Sequence, residues 1–249
     1  MDRSWHATHR TRATIGLILV AVAVSAAFLI WVLALRGPSS QHLNDPTAEA
    51  MGPPWLYGHL NARFTVVSYA DLECPFCQAY FPILRQWINT HPEVNWQWHH
   101  LPLAFHEPAA TQGARLAECA GEVRGHTAFW QTIAWVYQHT RSDGQGVPSE
   151  VPIPGLTPEL QACLDSTRPD AAIQTQATEA SQAGVVATPT LRLIDNHTGT
   201  DLLLPAGPIE GDALLSAIDL LMAMASETAE ESATTTSEMP ADVVGDMPR

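Results

Sequence analysis

The sequence predicts an α/β fold with a helical block set between its first and last strands, preceded by one transmembrane helix. Three observations predict it. An apolar, β-branched run, Phe64-Thr65-Val66-Val67, leads into Cys74-Pro75-Phe76-Cys77, and a segment of helical period, Gln78 to Ile88, leads out. A run of period two follows at Val94–Leu101, so one helix joins two strands in a βαβ unit. A long stretch of helical period then fills the middle of the chain before strand signal returns at Thr190.

Residues 1–12 are polar and carry Arg3, Arg10 and Arg12, and residues 13–35 are apolar apart from Thr14 and Ser25. At 1.5 Å per residue that run reaches about 34 Å, enough to cross a hydrocarbon core of roughly 30 Å. Arginines before the span predict a cytoplasmic N-terminus, with everything after Arg36 outside. A signal peptide cleaved near Val24-Ser25-Ala26 is the alternative; the apolar run continues past that point to Leu35, which favours an uncleaved anchor. Residues 37–54, rich in Pro, Ser and Gly, read as a linker too short to hold a further domain.

Trp55 to Leu60 reads as a short edge strand, Phe64–Ala70 as the first core strand and Pro75–Asn89 as the first helix. Val94, Trp96 and Trp98 alternate with Asn95, Gln97 and His99 in the second strand. Helices are expected over Pro108–Gly121, Thr127–His139, Thr157–Leu164 (capped by Thr157, with Pro158 at its first position) and Pro169–Ala183, which Gly184 ends. The aromatic stripe Phe129, Trp130, Ile133, Val136 and Tyr137 reads as core. Strands over Thr190–Ile194 and Leu202–Leu204 flank the turn Asn196-His197-Thr198-Gly199. Asp212–Ala225 closes the domain as an amphipathic helix. Residues 226–249, dominated by Ser, Thr, Glu and Ala, read as a disordered acidic tail.

The formal charge is -14, and all 12 basic residues are Arg. No basic footprint for nucleic acid is present, so nucleic acid is excluded as a partner. An even count of 4 cysteines fits an oxidising compartment.

The chemistry sits in Cys74-Pro75-Phe76-Cys77. Cysteines at i and i+3 at a helix start lie on one face with α-carbons roughly 5 Å apart, within the range a disulfide needs. Unpaired N–H groups at the helix N-terminus favour the thiolate of Cys74, making it the nucleophile. Pro75 suits the first turn, and Cys77, one turn deeper, is the shielded resolving thiol. A static disulfide and half a zinc site are the alternatives; zinc would call for a second cysteine or Cys/His pair at the right spacing, and Cys119 and Cys163 stand alone. Asp71 or Glu73 could be a buried carboxylate that moves protons, or both could be polar residues at a strand end. His99, His100 and His106 lack ligand spacing and read as surface or hydrogen-bonded histidines, with no metal site.

Taken together, Asp71-Leu72-Glu73-Cys74-Pro75-Phe76-Cys77, then Leu101-Pro102-Leu103, then Gly184-Val185-Val186-Ala187-Thr188-Pro189-Thr190, in this order, resemble the DsbA-like branch of the thioredoxin superfamily. The likeness covers roughly residues 55–225. It implies a thioredoxin-like fold with an inserted helical domain at about 105–183, and thiol–disulfide exchange on exported proteins. It assigns Pro189 the cis-proline position facing the disulfide, where Thr188 would turn its backbone toward Cys74 and toward an extended substrate strand. Pro75 and Phe76 would border that substrate. The oxidising compartment and the resemblance together suggest a second, structural disulfide between Cys119 and Cys163, with two free buried cysteines or a second redox pair as the alternatives.

The expected function is that of a protein thiol–disulfide oxidoreductase, catalytic through Cys74, Cys77 and Pro189, working without a cofactor. It would be anchored in a bacterial inner membrane by residues 13–35, with its domain in the periplasm or extracytoplasmic space. Its expected partners are exported proteins with cysteines and a membrane redox protein that recycles the dithiol. Oxidase is the favoured direction, with reductase or isomerase as the alternative. Thr188 before the proline resembles the latter side, whereas the short linker argues against an isomerase. A non-enzymatic chaperone or assembly module with Cys74–Cys77 as a static clip is the reading of another class.

Overall fold

Residue type and spacing decide where the chain pleats and where it coils. The computed structural model describes residues 52–237, with side chains from 52 to 227. These residues belong to the second of two units into which the chain divides, Pro46–Arg249. The expected anchor at 13–35, the N-terminus at 1–12 and most of the linker lie outside the described residues. Among the described residues no helix is long and apolar enough to cross a membrane.

Five strands form one sheet, β1 (Leu56–Tyr57), β2 (Phe64–Ala70), β3 (Val94–His100), β4 (Thr190–Asp195) and β5 (Asp201–Leu203), in the order β1-β3-β2-β4-β5. β2 and β3 run parallel because helix α1 (Pro75–Thr90) carries the chain back between them; every other pairing is antiparallel. The helical block follows β3: a 3₁₀ turn (Ala104–His106), α2 (Ala109–Arg124), α3 (His126–His139), α4 (Pro158–Leu164) and α5 (Arg168–Gln182). Helix α6 (Gly211–Ser237) ends the described chain.

Alternation in the strands makes the two faces of the sheet unlike. Phe64, Val66, Val94, Trp96, Trp98, Leu191 and Leu193 join the main core with Phe81, Leu84 and Ile88 of α1, Phe129 and Ile133 of α3, and Leu214, Ile218 and Leu221 of α6. Burying an aromatic side chain of 150–250 Å² contributes on the order of 4 kcal/mol of transfer free energy, so Trp96 and Trp98 weigh heavily. Their indoles are satisfied inside the core: Trp96 Nε1 donates to Ser68 Oγ at 2.7 Å and Trp98 Nε1 to His100 Nδ1 at 3.0 Å. The second face carries a smaller cluster, in which Val67, Tyr69 and Leu101 pack on Ala180 and Val185.

The helical block is built on small residues. Ala114, Ala117 and Ala120 are buried along α2 and let it approach α3 closely. A disulfide joins Cys119 of α2 to Cys163 of α4 with α-carbons 5.7 Å apart. Arg115 reaches Asp170 and donates to the Leu164 carbonyl at 2.7 Å, tying α2 to the start of α5. Thr157 caps α4, accepting from Leu160 N at 3.3 Å.

One expectation is corrected. Of the tail expected over 226–249, the first part is helical, since α6 continues to Ser237, and residues 238–249 lie outside the described residues. The segment is polar, but Ala and Glu are strong helix formers, the turns before it are already nucleated, and the first proline comes only at Pro240. Of the two readings of the histidines, surface or hydrogen-bonded, the second describes His100 and His106, which are buried and hydrogen-bonded; His99 is buried as well. His100 falls on the core side of β3 beside Trp98, and His106 is drawn inward by Asp71.

Candidate active site

Register brings the site together. The last paired residues of β2 and β4 are Tyr69 and Thr190, so Asp71–Cys74 and Thr188–Pro189 leave the same end of the sheet side by side. Cys74 is the N-cap of α1 in an extended conformation, Pro75 occupies the first turn, and Gln78 N donates to the Cys74 carbonyl at 3.0 Å. Cys77 follows one turn in. Both cysteines are free thiols and both are buried.

The peptide bond between Thr188 and Pro189 is cis, and Cys74 Sγ donates to the Thr188 carbonyl at 3.4 Å. Thr190 Oγ1 bonds the Ala187 carbonyl at 2.7 Å, and Gly207 N donates to the Pro189 carbonyl at 2.7 Å, which fix the loop from both sides. Three large apolar side chains remain exposed on segments that converge here: Phe76, next to Cys74; Phe105, next to His106; and Val186, two residues before Thr188.

The two thiols are driven apart electrostatically. Hydrogen bonding from Cys77 holds the Cys74 thiol down at about 6, against the upward push of burial, with the Thr188 side chain and the backbone N–H groups of Cys77 and Phe76 adding to the effect. Burial, then the adjacent Cys74, pushes Cys77 far above the ordinary thiol range. At neutral pH the pair is thus one thiolate and one thiol: Cys74 is in the form that attacks, and Cys77 stays protonated until it gives up that proton to resolve a mixed disulfide.

Two carboxylates that precede the nucleophile are buried beneath it, and each holds a different loop. Asp71 accepts from Glu73 N at 2.7 Å and Leu103 N at 2.7 Å, and pairs with His106 Nδ1 at 2.8 Å. Glu73 accepts from Thr140 Oγ1 and, at 2.9 Å, from Gly146 N. Tyr137 donates its hydroxyl to the Asp71 carbonyl at 3.1 Å, while its own carbonyl accepts from the Gln78 amide. His106, Tyr137, Thr140 and Gly146 carry no local signal in the sequence; only the two acidic residues beside the cysteine marked the place. Cys119 and Cys163 lie in the helical block, bonded to each other and separate from the dithiol. Among the described residues no three His, Cys, Asp or Glu side chains gather as metal ligands.

A thiolate at a helix N-terminus, a buried thiol one turn deeper and a cis-proline loop against the first sulfur define a dithiol–disulfide exchange site. The thioredoxin family matches residues 50–219. The crystal structure of DsbA2 from Pseudomonas aeruginosa is 43% identical, with a TM-score of 0.64, over 68% of this chain and 93% of that one. The chain therefore belongs to the thioredoxin superfamily, on its DsbA-like branch, and is a thiol–disulfide oxidoreductase. It is also 29% identical to the Na(+)/H(+) antiporter NhaA 1 of Salinispora arenicola over 178 residues, 66% of this chain and 26% of that protein. A second antiporter, NhaA 3 of Salinispora tropica, is 40% identical over 141 residues, 51% of this chain and 21% of that protein. The chain spans about a quarter of the length of these curated relatives.

Proposed function

We propose that the chain is an oxidase for exported proteins, tethered in a bacterial inner membrane by residues 13–35 with its redox domain on the extracytoplasmic side. The observation that carries the oxidase reading is the low Cys74 pKa of about 6. A stabilised thiolate favours the dithiol over the disulfide, and it makes Cys74 a good leaving group. A substrate thiolate attacks Cys74 Sγ of the Cys74–Cys77 disulfide, and Cys77 departs and takes up a proton. The second substrate thiolate then attacks the substrate sulfur of the mixed disulfide and expels Cys74 as the thiolate. The substrate loses two electrons to the cysteine pair, and a membrane redox partner removes them to restore the disulfide.

In this reading Cys74, Cys77 and Pro189 are catalytic. Thr188, Pro75 and Phe76 face the substrate, and Cys119–Cys163 is structural. The apolar run before the domain supports the tether. Thr188 before the proline is the feature that favours the alternative, a reductase or isomerase.

The test is the reduction potential of the Cys74–Cys77 pair in the full chain, equilibrated against glutathione. A value near about -120 mV makes it an oxidase, and one near about -270 mV a reductase or an isomerase kept reduced. A pair that glutathione barely reduces, with no covalent complexes trapped on Cys74 in a Cys77→Ala variant in cells, would make it a static clip and overturn the enzymatic reading.

A further inference from the structure

Disulfide exchange asks more of Cys77 than of Cys74. Cys77 has to leave the disulfide, or attack a mixed one, as a thiolate, in a place where burial strongly disfavours that charge. The acids beside it are engaged elsewhere. Asp71 is taken up by Glu73 N, Leu103 N and His106, and Glu73 by Thr140 and Gly146 N.

A hydroxyl from the helical block faces Cys77 instead. Tyr137, near the end of α3, is held against the start of α1 from several sides. Its carbonyl accepts from the side-chain amide of Gln78, the residue after Cys77. Its ring packs on Phe81, one turn beyond Cys77 on the same face of α1, with centroids 5.4 Å apart. Its hydroxyl donates to the Asp71 carbonyl at 3.1 Å, and the backbone N–H of Asp71 bonds Cys77. Burial, then the nearby Cys77, Asp71 and Cys74, pushes the phenol well above its ordinary range, and a hydrogen bond with Cys77 adds to this. The hydroxyl therefore keeps its proton at neutral pH and works only as a hydrogen-bond donor and acceptor.

We propose that the Tyr137 hydroxyl is the donor that stabilises Cys77 as a thiolate, turning from the Asp71 carbonyl to the sulfur as charge develops there. A thiolate attacks Cys74 Sγ, the Cys74–Cys77 bond breaks, and its electron pair goes to Cys77 Sγ. The phenol hydrogen bonds to that sulfur and stays on Tyr137; water then protonates Cys77, and the hydroxyl returns to Asp71. In the reverse step Cys77 loses its proton to water, attacks Cys74 Sγ of the mixed disulfide and expels the other thiolate, with the hydroxyl again on Cys77. A hydrogen bond to a charged acceptor is stronger than one to a neutral carbonyl, which drives the turn. The Thr188 hydroxyl bonds both sulfurs, so it does not single out Cys77. Both directions cross the same transition state, so the inference rests on dithiol–disulfide exchange and not on the oxidase reading.

The test uses the full chain in lipid nanodiscs with glutathione as the probe, stopped by acid and read by mass. One rate is glutathione attack on the oxidised chain; the other is closure of the mixed disulfide by Cys77. Tyr137→Phe keeps the ring and removes the hydroxyl. Both rates are expected to fall about fivefold at pH 7 with their ratio unchanged, and the Cys74 ionisation midpoint to stay near 6. Replacing Tyr137 with 3,5-difluorotyrosine, a stronger donor of the same shape, is expected to raise both rates about twofold or more, and this decides the matter if Tyr137→Phe fails to fold. A hydroxyl that only braces Asp71 would leave the rates indifferent to phenol acidity, which overturns the proposal. So do unchanged rates in a folded Tyr137→Phe variant, a fall in one direction only, or a moved Cys74 midpoint, which would place the effect on the first sulfur. An unaltered chain that forms no mixed disulfide overturns it together with the enzymatic reading.

Discussion

The carboxylate of Asp71 lies 2.8 Å from Nδ1 of His106, 35 residues further along the chain, in a pocket that buries both side chains. One oxygen of Asp71 also accepts from Leu103 N, and the other from Glu73 N. A single buried carboxylate thus joins the approach to Cys74 with the entry to the helical block. Asp71→Asn keeps the shape but turns an NH₂ group toward a backbone donor. The expected cost is about 2–4 kcal/mol, because buried donors lose their acceptor. Urea unfolding measures it, and a loss below about 0.5 kcal/mol would contradict the clamp, being within the range of ordinary surface substitutions.

Glu73 does for the far loop what Asp71 does for the near one. Its side chain accepts from Thr140 Oγ1 and Gly146 N, and its carbonyl accepts from Asp143 N at 2.8 Å. Ser142, Asp143, Gly144 and Gly146 all have positive φ, so this turn depends on its anchors. Glu73→Ala should release it locally. Hydrogen exchange at the Gly146 amide is expected to speed up about tenfold or more, the effect of losing roughly 1.4 kcal/mol of local protection, while exchange in β2 and β3 stays nearly unchanged. Unaltered exchange at Gly146 would rule this out.

Local physics was readable in advance and long-range pairing was not. The C-x-x-C helix start, the period of two in β3 and the Thr157 cap each depend on residues within a few positions of one another, and each lies where its pattern puts it. His106, Thr140 and Gly146 reach the site through contacts 35 to 73 residues distant, which no period encodes. His100 shows the limit of a polarity rule. Alternation alone sets it beside Trp98, but its type left the surface open as well as a hydrogen-bonded place, and what makes its burial tolerable comes from distant residues and the core: the Trp98 indole on Nδ1, Glu118 Oε1 at 3.2 Å from Nε2, and the Gln176 side chain, which accepts from His100 N at 2.7 Å. The polar end of α6 shows the converse, with composition suggesting disorder where backbone propensity continued a helix.

Gly121 has no visible signature either, and its reason is Trp55. A Cβ at this helical position would overlap the indole, which stacks on Phe129 with ring centroids 5.1 Å apart and donates to Glu118 at 2.9 Å. Gly121→Ala would raise helix propensity by about 1 kcal/mol in open space, yet here overpacking should win and destabilise by about 1–3 kcal/mol. Thermal unfolding gives the sign, and a stabilised variant would mean that Trp55 moves aside freely.

The Cys119–Cys163 bond closes a loop of 44 residues within the helical block. In the chain-entropy model such a loop contributes about 4 kcal/mol. Replacing both cysteines with Ala is expected to cost about that much in denaturant unfolding, and to leave the pH at which Cys74 ionises unchanged. A shift of that midpoint would mean that the two cysteine pairs communicate.

The Cys74 thiol provides the most direct check on the redox site. With a pKa of about 6 it is about nine-tenths thiolate at pH 7, against a few per cent for an ordinary cysteine. Absorbance of the thiolate at 240 nm and the rate of iodoacetamide alkylation should both rise with a midpoint near 6, with Cys77 silent up to pH 9 because its own pKa is pushed far up. The sign for stability follows from proton binding. Between about pH 6 and the ordinary thiol pKa of about 8.5, the unfolded reduced chain holds a proton at Cys74 that the folded chain has lost, so its stability rises with pH there. That contribution is complete above the unfolded pKa and is lost as pH falls through 6. The oxidised protein has no such proton to bind, so the stability of the reduced form relative to the oxidised form should grow from pH 6 to pH 8.5. A flat difference across that window, or an alkylation midpoint above 8, would mean that hydrogen bonding to Cys74 is too weak to poise the pair for oxidation.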